Sequence, residues 1–304
     1  MKISLLYNQT AGEGISSDEL KDQIERAGHD VVRTVQREAD SARLFDPRVE
    51  LIVAAGGDGT IASAAKAVAG SGIPLAILPL GTANNIAKSL GISGALPELI
   101  EGWRHAVHTP FDLGGASSKD EEFMFVEGVG GGLIPAGISA ARQAPEGDHA
   151  DVAAKVIADI HHYHEVLLRM KPCRFTLAAD GSDLSGDYLL VEILNIGSIG
   201  PNIVFSPDVS PSDGFLSLVT AGEEHRAALL AYLEHRLAGT PGHLALPSRP
   251  ATTVEIDGGG AVHVDDESER AAVVGALSLR IRPAALHVLG SASYSTVTTR
   301  RMPG

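Results

Sequence analysis

The sequence predicts an α/β protein with an N-terminal parallel-sheet domain over residues 1–112 and a second, mainly antiparallel β-sandwich domain over 113–304. Three observations carry this expectation. Up to about residue 112, β-branched apolar runs alternate with stretches of helical periodicity, the pattern of βα units around a parallel sheet. Beyond it, short apolar runs are broken by Gly, Asp and Pro, as in a sandwich or half-barrel. A length of 304 residues is also about twice the usual domain size, enough for two cores.

The elements follow in order. "KISLLYN" reads as a first strand ending in the turn of Asn8 to Gly12. "SSDELKDQIERAG" reads as a helix, with Ser16 and Glu19 as a capping box, Leu20 and Ile24 one turn apart, and Gly28 as the stop. "VELIVAAGG" and "IPLAILPLG" are nearly all apolar, as strands covered on both faces must be. "TIASAAKAVAGSG" and "TANNIAKSLG" are the helices that follow them, and "GGASSKDEE" at 114–122 is the expected boundary loop. In the second half "CRFTLAADG", "GDYLLVEILNI", "GFLSLVTA", "TTVEIDGGG", "AVHVDDE", "LSLRIRP" and "ALHVLG" read as short strands. Two helical patterns interrupt them, "HADVAAKVIADIHHYHEVLLRM" and "EEHRAALLAYLEHRLAG". Trp103, spaced from Leu99 and Ile100, is a core residue by its pattern.

Composition excludes several classes. With 38 acidic and 24 basic residues the formal charge is −14, which argues against a nucleic-acid partner and against tight docking on anionic lipid. A single cysteine, Cys173, precludes an internal disulfide and fits a reducing compartment. No stretch reaches the roughly 18 to 20 apolar residues of a membrane span, and "MKISLLYNQTAG" reads as a strand and turn rather than a signal peptide. A soluble, cytoplasmic protein of open oligomeric state is expected.

The most informative stretch is "AAGGDGTIAS", residues 54–63. Glycines at the end of a buried strand leave N–H groups unobstructed at a helix start, the makings of a phosphate cradle. The alternative is an ordinary tight turn with Asp58 as helix cap. Asp58 repels phosphate, so in a nucleotide loop an exposed Asp58 needs a magnesium ion or a sugar hydroxyl as partner. The stretch is neither a Walker A loop nor a GxGxxG fingerprint. "LPLGTANNIAKSLGI" repeats the device with Gly81 and Thr82, and "YNQTAG" places Asn8, Thr10 and Gly12 after the first strand. In a parallel sheet these loops gather beyond the carboxyl ends of the strands.

Taken together and in this order, the three segments resemble the catalytic domain of the diacylglycerol kinase family, which includes sphingosine kinases and bacterial lipid kinases. The likeness extends into "SPDVSPSDGFLSLV" and the acidic "HVDDESE". The resemblance implies a nucleotide-binding α/β domain with ATP and Mg2+, joined to a β-rich domain that receives a lipid with a hydroxyl acceptor from transient membrane-surface contact. It places Gly56, Gly57, Asp58, Gly59 and Thr60 at the phosphates with Thr82 beside them, Asn8 and Thr34 on the nucleotide, and Glu267 as general base. Asp58 would hold magnesium directly or through water, and Asp265, catalytic with it, would together with Asp266 raise the Glu267 pKa by like-charge repulsion. A structural magnesium would fall at Asp213, with the carbonyls of Ser210 and Phe215; Asp213 reads equally as a turn former. If the segment is a strand, Asp265 and Glu267 share one face and Asp266 the other.

The sequence departs from the family pattern in three places. Gln9 stands in place of Pro, Asn85 in place of Asp, and Asp266 in place of the Gly in Asp-Gly-Glu. "GVGGGLIPAG" lacks a frequent Asp. Two other readings stay open: an NAD kinase-like enzyme, disfavoured by Gly81-Thr82-Ala83-Asn84-Asn85, and a catalytically silent lipid- or nucleotide-binding module. The three histidines of "DIHHYHEVL" lack the His-Glu-x-x-His arrangement and read as a solvated helix face.

Overall fold

The computed structural model describes residues 1–8, 15–37, 41–144, 152–240, 242–260, 262–265 and 275–290. It forms two compact units: Met1–Leu113 with Ser210–Gly214 and the chain from Arg282, and Gly114–Val209 with Phe215–Ile281.

In the first unit β1 (Lys2–Tyr7), α1 (Ser17–Arg26), β2 (Asp30–Gln36), β3 (Leu51–Gly56), α2 (Asp58–Val68), β4 (Leu75–Pro79), α3 (Asn85–Ser89) and α4 (Leu96–Gly102) follow one another, and β5 (Val107–Ser117) leads out. The α1 cap is the expected box: Ser16 Oγ accepts from Glu19 N–H and the Glu19 carboxylate accepts from Ser16 N–H. Its Leu20 and Ile24 are buried against Ile3, Leu5, Leu51 and Val53 of the sheet, in a core that also takes Trp103. Strand order is β4-β3-β1-β2, all parallel. The chain moves outward from β1 in one direction and from β3 in the other, so the switch point lies between β1 and β3. That is where the carboxyl ends of such sheets form a ligand crevice.

The second unit takes β6 (Glu122–Phe125), β7 (Gly128–Gly132), α5 (Leu133–Gln143), α6 (Val152–Arg169), β8 (Cys173–Ala179), β9 (Ser182–Asp183), β10 (Gly186–Tyr188) and β11 (Leu190–Leu194). After them come β12 (Ser198–Ile199), β13 (Ile203–Val204), β14 (Leu216–Ala221), α7 (Arg226–Leu237), β15 (Ser248–Ala251), β16 (Thr253–Gly258), β17 (Val262–Val264) and β18 (Leu277–Gly290). One antiparallel sheet runs β15-β14-β11-β7-β17; β10-β8-β16 and the first half of β18 form the other. Phe175, Leu177, Val254, Ile256 and Leu279 of the second meet Val129, Val191, Ile193, Leu218 and Val264 of the first, which makes the sandwich core. The opposite face of the five-stranded sheet, through Leu190, Leu194 and Val219, packs on Leu133, Ile160, Leu167 and Leu233 of α5 to α7. All five residues of β11 are therefore buried, because both faces are covered.

Two stretches differ from expectation. The boundary loop at 114–122 is strand as far as Ser117, followed by a turn closed by Ser118 N–H on the Glu121 carbonyl. Its Gly114 is a strand glycine because the Phe125 ring lies over it, so close that a Cβ would come within 1.9 Å of that ring. "LSLRIRP" and "ALHVLG" form the single strand β18, kinked at Ala284 with φ +48°. The first part of β18 pairs with β16 in the second unit, whereas Val288 pairs with Leu75 of β4 in the first.

Candidate active site

At the carboxyl edge of the first unit's sheet lie Asn8, after β1; Arg37, after β2; Gly56, the last residue of β3, and Gly57 after it; and Leu80 and Gly81, after β4. The β3 and β4 loops are in backbone contact. Leu80 N–H donates to the Gly56 carbonyl at 2.9 Å, and a Cβ on Gly81 would stand 2.3 Å from Gly57 Cα. Asn84, at φ +51°, clamps the second loop: its Oδ1 accepts from Gly81 N–H at 3.0 Å and its Nδ2 donates to the Gly81 carbonyl at 2.8 Å. Gly57 and Gly81 are thus required by each other's backbone. Gly81→Ala should lower the melting temperature by several degrees, the scale of about 1–3 kcal/mol of overpacking. Gly102→Ala, whose Cβ meets nothing within 4 Å, should leave it unchanged, and a thermal melt of both checks this.

Asp58 is not the exposed carboxylate expected from sequence. It is nearly buried, and its Oδ1 accepts from Ile86 N–H at 2.9 Å. Burial raises its pKa, opposed by the backbone amides of Ile86, Asn85 and Asn84 and by the Lys88 charge. Asp58 therefore ties the start of α2 to the start of α3, a partner that neither magnesium nor a sugar supplied in the sequence reading. Asn85 is buried on the same turn, where an amide avoids adding a second buried charge. Thr60 is equally covered: among the described residues its Oγ1 finds no partner, and it lies over Gly56, whose Cβ would meet it at 2.5 Å. Thr82 is half-buried in the second loop, while Thr34 is exposed on edge strand β2 beside Leu5. Asn8 is buried, with its N–H on the Ala55 carbonyl.

Two charged residues went unnoticed in the sequence. The Arg37 guanidinium lies over Gly59, 2.9 Å from where a Cβ would be, and the Arg37 backbone N–H donates to the Tyr7 carbonyl. Its only sequence signal is a cation directly after a strand. Asp112 on β5 is buried and accepts from Gly214 N–H at 2.8 Å and Ala284 N–H at 2.7 Å. The second bond supports the left-handed backbone at Ala284. Burial raises the Asp112 pKa against the pull of those amides, and the nearby Asp213 charge adds to the rise. Asp213 itself sits in a turn, its N–H on the Ser210 carbonyl at 3.4 Å. Ser210 and Asp213 belong to the first unit and Phe215 to the second.

The second unit has a buried polar cluster on the helix-facing side of its five-stranded sheet. Asp265 follows β17 with φ +50°, and its Oδ1 accepts from Val126 N–H at 2.8 Å and Glu127 N–H at 2.7 Å. The strand alternation expected to align Asp265 with Glu267 therefore ends at Val264, and Asp265 is a turn residue. Glu267, with Asp266, lies outside the described residues. Beside this turn His263 Nε2 meets the Glu192 carboxylate at 2.9 Å, and His263 Nδ1 meets the Asp265 carbonyl at 2.9 Å. Burial pulls the His263 imidazole down, but the Glu192 charge and hydrogen bond carry it above its ordinary value. Burial raises Glu192 in turn, which His263 only partly opposes.

Comparison with known proteins puts this geometry in context. Residues 2–116 match the diacylglycerol kinase catalytic domain, and residues 133–290 match the YegS C-terminal NAD kinase beta sandwich-like domain. The chain belongs to the diacylglycerol kinase and YegS family. Among its relatives, a protein named diacylglycerol kinase from Mycobacterium tuberculosis (strain ATCC 25618 / H37Rv) is 27% identical over 75% of this chain and 76% of its own length. The "Probable lipid kinase YegS-like" of Klebsiella pneumoniae (strain 342) is 30% identical over 73% and 76%. A crystal structure of a diacylglycerol kinase from Bacillus anthracis str. Sterne superposes with TM-score 0.73 at 20% identity over 96% of this chain and 97% of that one. The NAD kinase of Archaeoglobus fulgidus, solved with ATP, shares the fold more distantly, at TM-score 0.55 and 12% identity over 97% and 95%. This family member is thus lipid kinase-like in sequence and α/β plus antiparallel sandwich in fold, and the NAD kinase likeness reaches the fold alone. Among the described residues no helix is long and apolar enough to cross a membrane.

Proposed function

We propose that this chain is an ATP-dependent lipid kinase that transfers the γ-phosphate to a hydroxyl of diacylglycerol, a sphingoid base or a related lipid. The observation that carries the reading is the first turn of α2 at the sheet's switch point. There the N–H groups of Gly57, Asp58 and Gly59, which no helix carbonyl can take, the positive end of the helix and the Arg37 guanidinium come together. Like-sign charge gathered over a helix N-terminus is a poor arrangement alone and a favourable one once an anion enters.

Asn8, Thr34 and Thr82 would border the nucleotide beside this turn. Thr60, its hydroxyl facing Gly56, would support the loop from beneath. Among the described residues no three His, Cys, Asp or Glu are grouped to hold a metal. Mg2+ would take one or two carboxylates, waters and the substrate's own phosphates. Asp58, with Oδ1 committed to the α3 amides, would reach it through its other oxygen or a water. A second ion at Asp213 would relieve the repulsion between Asp213 and Asp112. Magnesium would supply charge neutralisation along the phosphates, while the protein orients the acceptor and holds its proton. Glu267 would take that proton from the lipid hydroxyl, which reaches the site from a membrane surface.

The test incubates purified protein with Mg·ATP and a panel of diacylglycerol, sphingosine, ceramide and NAD, with products identified by mass spectrometry. Phosphorylation of one lipid is expected. Phosphorylated NAD, or nucleotide binding without any product, would overturn the proposal.

A further inference from the structure

A cavity of about 270 Å3 opens in the first unit between β4, the end of β18, the chain that follows α3, and α4. Ile77, Ile92, Leu99, Trp103 and Leu289 wall it. An apolar cavity of about 150 Å3 already admits benzene, so this one has room for a short alkyl chain. Gly102, the last residue of α4, lines it as well. Its backbone is ordinary right-handed helix, at φ −64° and ψ −24°, and a Cβ on it would meet nothing within 4 Å. Neither dihedral angles nor crowding asks for glycine there, and glycine weakens a helix relative to alanine. What the missing side chain does is leave the cavity open.

The rim has its own chemistry. It carries Ser93, Glu98 and His105, all exposed, and no lysine or arginine is among the lining residues. One Glu98 oxygen accepts from Ala95 N–H at 3.4 Å, and the exposed carboxylate faces water. A hydroxyl, a carboxylate and a neutral imidazole are all hydrogen-bond acceptors, which suits a primary ammonium with its three N–H donors. A carboxylate or phosphate head would instead meet Glu98 with like charge.

We propose that this cavity binds a single-chain amphiphile with a cationic amine head: the alkyl chain fills the space left by Gly102 against Trp103, and the ammonium stays at the rim on Glu98. The site is separate from the phosphate cradle of α2. It stands independently of the lipid-kinase reading, since binding here needs neither nucleotide nor turnover.

Trp103 is the chain's only tryptophan, so its emission reports directly on this cavity. Titration of the full chain with hexylamine, octylamine, decylamine and dodecylamine, each below its micelle concentration, should move that emission to shorter wavelength and saturate. Affinity should rise about fourfold per buried methylene and level off once the cavity is full, whereas adsorption on a surface keeps strengthening with chain length. Octanoate should bind at least tenfold more weakly than octylamine. Hydrogen exchange at Ile92, whose N–H donates to the Ala87 carbonyl at 2.9 Å, should slow at saturation. Gly102→Leu should abolish the response with a melting temperature at or above native. In Glu98→Gln, whose amide oxygen can still accept from Ala95 N–H, octylamine should weaken at least threefold while octanol is unchanged. The absence of a saturable response in the native chain would overturn the proposal, as would an undiminished response in Gly102→Leu or equal binding of octanoate and octylamine. If Gly102→Leu does not fold, Gly102→Ala decides: its one methyl should weaken decylamine at least threefold, and native affinity refutes the role. Emission that shifts with protein concentration alone would give the cavity to a second copy of the chain and overturn the proposal as well.

Discussion

Asp58→Ala should lower stability by about 2 kcal/mol and turnover by at least about 100-fold, because one carboxylate serves both the loop architecture and the charge of the site. The stability part follows from the buried Ile86 amide, which alanine leaves without an acceptor. Asp58→Asn separates the two effects. Its carbonyl can still accept from Ile86, and it removes the cost of a buried charge, so its melting temperature should match or exceed that of the native protein. The pH dependence has a definite sign. A carboxyl whose folded pKa is raised binds its proton more readily in the folded state, so native stability declines as pH rises from the ordinary carboxylate range, about 4, through the raised value. Asp58→Asn should lack that decline. Denaturant titrations at several pH values, beside nucleotide-turnover assays, check both parts. Full turnover in the Asn variant would show that the charge has no catalytic task.

Glu267→Gln should lower kcat by roughly 100-fold or more, the usual scale for losing a general base, with KM for ATP little changed. Asp266→Gly should change it little. For Asp265→Asn the structure sets a mild outcome, because an amide oxygen can accept from Val126 and Glu127 and asparagine tolerates φ +50°. Steady-state rates for the three variants rank the acidic residues. A loss in Asp265→Asn equal to that in Glu267→Gln would assign the proton to Asp265 or to the pair.

Local signals made the first unit legible. Ser16 and Glu19 announced the α1 cap, and the unbroken apolar runs of β3 and β4 could only be strands covered on both sides. The glycine loops were legible as loops, but not their reasons: Gly57 and Gly81 answer to each other's backbone, a contact between residues distant in sequence. The burial of Asp58 is hidden for the same cause, since nothing near it in the chain reports the Ile86 amide. The His263 and Glu192 pair left no local trace, for each sits in a strand pattern of apolar neighbours and their pairing depends on register across Gly130. The glycines of "GVGGGLIPAG" have spatial reasons that the sequence does not carry: Gly130 makes room for a carboxylate and Gly131 for the Phe175 ring.

Strand β18 governs when β4 can be covered in the first unit. Val288 joins Leu75 of β4 more than two hundred residues after that strand has been synthesised, and Asp112 waits equally for the amides of Gly214 and Ala284. On the ribosome, β1 to β4 can associate early through near-neighbour contacts, but β4 keeps an open edge and Asp112 a solvated carboxylate until the C-terminal segment emerges. The second unit, whose residues all lie between these two events, can close before the first is complete. An unprotected β4 edge in nascent or truncated chains is then the place where self-association begins.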